Sequence, residues 1–283
     1  MTPLRPTFLV IGAMKAGTTS LYRYLRAHPD VFMPESKELN FFFEEAHGQW
    51  HRGRAWYEAQ FAGAGDSIAI GEASAFYANY PVVSAVPERI SDLLPAVRLV
   101  YVVRHPIDRI VSHYRQAVLF EGERDPIDVA LGQGDYYLHP SRYGTQLGRF
   151  REHVDADRIL VIRTDDLATD RERTVHRVLT FLGVQRPLPP GVLDERHHVA
   201  GDRRARGAVG RAVRRIPATR WLSATLPEPV MDGWRRLVSR EVPPDHFTLS
   251  PELHRYLADR LAPDIEMFRH LLGDGDFNGW GIG

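Results

Sequence analysis

Gly12-Ala13-Met14-Lys15-Ala16-Gly17 encloses a lysine between two glycines, and Thr18-Thr19-Ser20 follows directly. The glycines have the spacing of a phosphate-binding P-loop, but the usual lysine position after the second glycine holds Thr18. The lysine has moved into the loop, at Lys15. A strand, a glycine-bounded loop and a helix start bring backbone N–H groups together with the positive end of a helix dipole, which suits a phosphate. The displaced lysine points to an anionic nucleotide handled without the usual ATP–magnesium arrangement. A second pair lies further on, with Arg104 at the end of an apolar run and Ser112 in the following amphipathic stretch. An arginine fork with a serine hydroxyl suits a separate phosphate. A nucleotide phosphorylated on both its 5′ and 3′ sides would use both places.

The elements that must position these groups alternate along the chain. Phe8–Ile11 reads as a buried strand and Thr18 opens a helix that ends at His28-Pro29. A loop with Lys37, Glu38 and Phe41-Phe42-Phe43 follows, then a short strand at Ile68–Ile70 leading into Gly71-Glu72-Ala73-Ser74. Helical spacing covers 82–94, a strand covers Arg98–Val103, and Pro106 starts a helix that Ile107–Leu119 continues. A helix at 142–153, a strand at Arg158–Ile162, a helix at 171–182 and a terminal helix at 252–272, bent at Pro263, complete the pattern. This alternation predicts an α/β fold with a central parallel sheet flanked by helices and a P-loop NTPase-like nucleotide site. Strand C-terminal ends carry the ligands in such sheets, so Arg104 would face the same crevice as the Lys15 loop.

Taken together, these motifs resemble the PAPS-dependent sulfotransferases, particularly the branch with heparan sulfate sulfotransferase domains and many bacterial enzymes. Lys15-Ala16-Gly17-Thr18-Thr19-Ser20 is similar to that family's 5′-phosphosulfate loop, and Arg104 with Ser112 to its 3′-phosphate motif. Lys37-Glu38-Leu39-Asn40-Phe41-Phe42 is similar to the segment carrying its catalytic glutamate. Tyr143 matches a tyrosine near the adenine, and the tail Asp274–Trp280 has the family's ending. The resemblance implies sulfuryl transfer from 3′-phosphoadenosine 5′-phosphosulfate (PAPS), as co-substrate, to a hydroxyl or amine. It implies that Lys15 stabilises the leaving group, that Glu38 is the general base with its pKa raised by burial, and that Lys37 assists at the sulfuryl oxygens. Ala16, Gly17, Thr18, Thr19 and Ser20 would hold the 5′ side. Arg203 and Arg204, in the arginine-rich segment 196–215, would close over the 3′-phosphate. His113 is the alternative base, because some cytosolic sulfotransferases use a histidine. Many relatives have lysine where this chain has Ala73, so any role tied to that lysine is in question here.

Composition narrows the remaining classes. The 283 residues are 43% hydrophobic and 25% charged, enough for one sizeable core, so residues 1–283 are expected to form a single sulfotransferase domain. Lys+Arg and Asp+Glu are both 36, which gives no basic surplus for nucleic acid. The absence of cysteine excludes thiolate chemistry and cysteine metal sites, and the adjacent His197 and His198 do not make a metal centre alone. No apolar run is long enough to span a bilayer and none reads as a signal peptide, so a soluble cytoplasmic protein is expected. The acceptor is expected to be a small molecule or carbohydrate, lined by 44–62, 120–141 and 215–250 with Trp50, Trp56, Tyr136, Tyr137, Trp221 and Trp234. An ATP–magnesium small-molecule kinase and a non-catalytic nucleotide-binding protein are the alternatives.

Overall fold

The computed structural model describes residues 5–194, 204–206, 239–273 and 277–282. Its centre is a five-stranded parallel sheet of order β2-β3-β1-β4-β5. The strands are β1 (Phe8–Gly12), β2 (Val31–Phe32), β3 (Ala69–Ala73), β4 (Arg98–Val103) and β5 (Ile159–Arg163). Every residue of β1 and β3 is buried, as a strand covered on both faces requires. β1 lies between β3 and β4, with Phe8 opposite Gly71 on one side and Arg98 on the other. The Phe8 ring fills the space a Cβ on Gly71 would need, so glycine there is a packing requirement.

The α/β class and its flanking helices are as the alternation predicts, with local differences. β3 runs on through Gly71-Glu72-Ala73, three residues expected to be loop, because this edge of β1 supplies backbone partners as far as Val10. β2 was not expected; it is a short strand that pairs with β3 at Val31↔Ala69. The helix expected over 82–94 is α3 (Val86–Leu93), delayed until Pro87 can occupy its first turn. The helix from Pro106 is α4 (Pro106–Gln116), after which the chain widens into a π turn at Ala117–Glu121 instead of continuing as α-helix to Leu119.

The other helices are α1 (Thr18–Arg26), α2 (Gly53–Ala59), α5 (Ile127–Gly132), α6 (Tyr143–Arg151), α7 (Thr164–Thr169), α8 (Arg171–Phe181) and α9 (Pro251–Leu272), which contains Pro263. α9 packs closely on α6. Gly144 has no room for a side chain because the Asp264 carbonyl and the Phe268 amide sit against it. Asp264, 7% exposed, accepts from the amides of Gly144 (2.7 Å) and Thr145 (2.8 Å) and from the Thr145 hydroxyl (2.6 Å). A side chain from one helix thus caps the start of another. A short antiparallel ribbon, β6 (Arg204–Arg206) with β7 (Ser239–Glu241), packs beside the π turn. Arg203, His197, His198, Trp221, Trp234 and Asp274 lie outside the described residues.

Candidate active site

The loop between β1 and α1 begins where Gly12 meets its neighbours. A Cβ on Gly12 would come 2.9 Å from the Ala78 Cβ and 3.1 Å from the Tyr101 ring, so only glycine lets the chain leave the sheet there. The Ala13 amide donates to the Val102 carbonyl (2.6 Å), and the Ala16 amide to the Ala13 carbonyl (3.1 Å). Lys15 and Gly17 have φ of 67° and 94°, in the left-handed region, and Gly17 is the N-cap of α1. The Thr164 hydroxyl lies 2.6 Å from the Ala16 carbonyl and 2.9 Å from that of Val103, tying the loop to the end of β4. No described protein atom accepts from the amides of Gly17, Thr18 or Thr19. These first-turn donors have no partner along the helix and suit an anion.

Cations gather around this loop. The Lys15 ammonium donates to Gln116 Oε1 (2.9 Å), and Gln116 Nε2 donates to Glu121 Oε1 (2.6 Å). Burial lowers the Lys15 pKa; Glu121 opposes this, while Arg104, Arg109 and Arg115 lower it further. A polyanion bound among these groups would relieve that repulsion. Arg104 lies just past the end of β4, and its guanidinium has no hydrogen-bond or ion-pair partner among the described residues. Ser112 lies one turn before Gln116 on α4, so the two share a helix face, and its hydroxyl is equally unpartnered among the described residues.

Arg109 is fully buried, and burial lowers its pKa to about 10. It donates to Ser141 Oγ and the Tyr137 carbonyl, while its Nη1 has no partner among the described residues. His113 is also buried; desolvation first, then Arg109 and Lys15, lower its pKa to about 3, so it is neutral at physiological pH. Tyr143 is buried at 0% exposure, where desolvation raises its pKa to about 12. Its hydroxyl donates to the Arg104 carbonyl (2.7 Å) and accepts from the Arg104 amide (3.3 Å). Tyr143 therefore fixes the backbone from which Arg104 projects.

The second flank of β1 carries the carboxylates. Glu38 has φ 63° and is followed by Asn40 at φ 52°. The Glu38 amide donates to the Ala73 carbonyl (2.9 Å), and Glu38 Oε2 accepts from the Ala75 amide (2.8 Å). Its other oxygen pairs with Lys37. The Glu38 side chain is 36% exposed and that of Lys37 16%, so the deep burial expected for Glu38 is absent. The segment after β3 leans on β1, because the Ser74 amide donates to the Val10 carbonyl (3.1 Å) and the Ala78 amide to the Ile11 carbonyl (2.9 Å). Ala78 is also the residue that contacts Gly12. The loop bearing Glu38 and the loop bearing Lys15 are thereby built on neighbouring strand ends.

Beneath Glu38 lies Glu72, 1% exposed. Its Oε2 accepts from the Ser74 hydroxyl (2.6 Å), and its Oε1 from Tyr77 (2.6 Å) and Tyr57 (3.2 Å). Burial raises its pKa to about 7, the hydroxyl bonds oppose this, and Glu38 adds to the rise. Sequence reasoning passed over Glu72, Gln116, Thr164 and Asp264. The readable signal for Glu72 was a single carboxylate within the otherwise small and apolar Ala69-Ile70-Gly71-Glu72-Ala73. Phe41, Phe42, Phe43 and Tyr57 are buried core, and Trp50 and Trp56, two of the aromatics expected to line the acceptor, pack against it. Phe41 stacks on Tyr57 with ring centroids 4.3 Å apart. Arg204 begins β6, opposite Glu241. Among the described residues no group of His, Asp and Glu is arranged to hold a metal ion, and no helix is long and apolar enough to cross a membrane.

Comparison with known proteins bears out the resemblance read from the sequence. Residues 71–187 match the Sulfotransferase family model. Over 204 residues the chain is 31% identical to the bifunctional heparan sulfate N-deacetylase/N-sulfotransferase 1 of Xenopus tropicalis, covering 63% of this chain and 22% of that protein. Over 193 residues it is 28% identical to the heparan sulfate glucosamine 3-O-sulfotransferase 6 of Mus musculus, covering 64% of this chain and 53% of that protein. The chain therefore spans about a fifth to a half of the length of these curated relatives. A sulfotransferase from Alicyclobacillus acidocaldarius has the same fold, with a TM-score of 0.71 at 24% identity over 98% of this chain and 99% of that one.

Proposed function

We propose that this chain transfers a sulfuryl group from PAPS to a hydroxyl or amine of a carbohydrate or small-molecule acceptor by in-line displacement, with no metal required. The observation that carries this reading is the Lys15 loop, whose first-turn amides have no acceptor among the described residues and whose lysine lies beside Arg104, on a strand end next to that of the loop bearing Glu38. The first-turn amides and the hydroxyls of Thr18, Thr19 and Ser20 hold the 5′ side of the nucleotide, with Ala16 and Gly17 shaping the turn. Arg104 and Ser112 take the 3′-phosphate, and Tyr143 fixes the Arg104 backbone. Arg203 and Arg204 are assigned to cover the nucleotide; the position of β6 beside the π turn supports this for Arg204.

PAPS supplies a sulfuryl group already activated by its anhydride link to phosphate. The S–O bond to phosphate breaks as the acceptor oxygen or nitrogen bonds to sulfur. Glu38 takes the acceptor's proton, Lys37 faces the sulfuryl oxygens, and the Lys15 ammonium neutralises charge on the departing phosphate oxygen. The sulfuryl group carries less charge than a γ-phosphoryl group, so lysine replaces the metal clamp of kinases. Heparan sulfate relatives favour a carbohydrate acceptor. The 283 residues are assigned to one catalytic domain, with the cytoplasm as its expected compartment.

Calorimetry with 3′-phosphoadenosine 5′-phosphate (PAP), ADP and ATP–magnesium tests the nucleotide class. Metal-free binding that depends on the 3′-phosphate is expected. Preference for ATP–magnesium would transfer the assignment to a kinase. Glu38→Gln is expected to abolish most transfer and leave PAP affinity within about threefold of wild type, as loss of a proton acceptor outside the nucleotide site should. Full activity in that variant would place the base elsewhere, and His113→Ala would then be assayed.

A further inference from the structure

The loop carrying Glu38 runs through two residues with positive φ, at 63° and 52°, neither of them glycine. Such conformations cost about 1 kcal/mol or more each and persist only where surrounding contacts impose them. Hydrogen bonds from neighbouring side chains impose them here. The Asn40 amide donates to Ser74 Oγ (2.9 Å), and the Phe41 amide donates to the Tyr77 hydroxyl oxygen (3.0 Å). Each of these oxygens belongs to a hydroxyl with one proton. In each case that proton goes to Glu72, 2.6 Å away. A hydroxyl that donates to a carboxylate must turn a lone pair elsewhere, and here the lone pairs face the two loop amides. Were either hydroxyl reversed, its proton would point at an N–H and the loop would lose that anchor.

We propose that Glu72 is a positioning residue for the general base, setting the polarity of Ser74 and Tyr77 so that they hold the Asn40 and Phe41 amides and thereby aim Glu38. This rests on the reading of Glu38 as the base. It accounts for a carboxylate buried at the end of β3 with no ion pair among the described residues. Burial of this acid is costly, as its raised pKa records, and the hydroxyls of Ser74, Tyr77 and Tyr57 offset part of that cost. Tyr57 also stacks on Phe41, so one cluster grips the loop by both backbone and ring.

The test uses Tyr77→Phe, Ser74→Ala and Glu72→Gln in the full chain, with two readouts. The first is amide hydrogen exchange over the segment containing Asn40 and Phe41, which needs no turnover. Exchange there is expected to quicken by about tenfold or more in Tyr77→Phe, the scale of one lost buried hydrogen bond. Unchanged exchange in both Tyr77→Phe and Ser74→Ala would overturn the proposal. The second is a double-mutant cycle. Tyr77→Phe is expected to lower kcat by roughly tenfold or more without changing PAP affinity, and to change the residual rate of Glu38→Gln by less than about twofold. Equal losses in both backgrounds would mean that Tyr77 acts on stability or on another group. If Glu72→Gln does not fold, the two hydroxyl variants decide the question. If wild type transfers no sulfuryl group, the functional reading fails and the exchange result alone judges the positioning role.

Discussion

Lys15 shows how a single side chain is tuned by what surrounds it. Its ammonium is partly desolvated and shares its surroundings with Arg104, Arg109 and Arg115. Its pKa is therefore depressed in the free protein, and a bound polyanion will raise it again. Nucleotide binding at alkaline pH should then take up protons, because Lys15 is partly neutral before binding and charged after it. Calorimetry of PAP binding in buffers of different ionisation enthalpy reads this uptake directly, and zero uptake at alkaline pH would contradict the assignment. Lys15→Ala should remove the uptake and lower transfer by about two orders of magnitude or more, the scale of losing one charge-stabilising group. Lys15 and Arg104 stand out in sequence because each sits at a strand–loop–helix junction with a distinctive local pattern, and Ser112 follows Arg104 two turns into α4. Gln116, the partner of Lys15, was not legible, since a glutamine late in an amphipathic helix carries no local mark. Its relevance comes only from the fold that brings residues 15 and 116 together.

The elements that place these side chains depend on one another in ways local sequence does not display. α6 begins at Tyr143, whose hydroxyl holds the Arg104 backbone, yet its first amides are capped by Asp264 of α9. α9 thus reaches the proposed nucleotide site through one carboxylate. Asp264→Ala leaves buried amide donors unsatisfied and should destabilise the protein by roughly 2 kcal/mol. It should also weaken PAP binding through a looser Tyr143–Arg104 anchor. Denaturant midpoints alongside PAP titrations check both effects, and an unchanged midpoint would remove Asp264 from this role. Strand and helix positions were read well where apolar periodicity was strong, as in β1 and β4. The reading stopped β3 at Ile70 because Gly71 and Glu72 resemble loop residues. The strand goes on because Gly71 admits the Phe8 ring and Glu72 finds hydroxyl partners inside the core. Both reasons lie in residues distant along the chain.

Across the whole molecule, alternating strands and helices made the parallel sheet legible, and parallel strands put their C-terminal ends on one edge. Local patterns did not reveal the strand order. β1 stands between β3 and β4, so the residues proposed to do the chemistry fall on either side of one central strand. Residues 35–77, with Glu38 and Glu72, lie on the β3 flank. Arg104, Ser112 and Gln116 lie on the β4 flank, and the Lys15 loop springs from β1 between them. This order makes the protein divisible for the purposes of protein engineering and of descent. A chimera that takes residues 44–62 from a relative with another acceptor should shift acceptor preference while keeping PAP affinity within about tenfold, since that stretch holds neither the Lys15 loop nor Arg104 and Ser112. Loss of PAP binding in such a folded chimera would show that the flanks are coupled. Where the flanks are separable, new acceptors can be acquired by drift in one stretch of gene, with the donor machinery inherited unchanged.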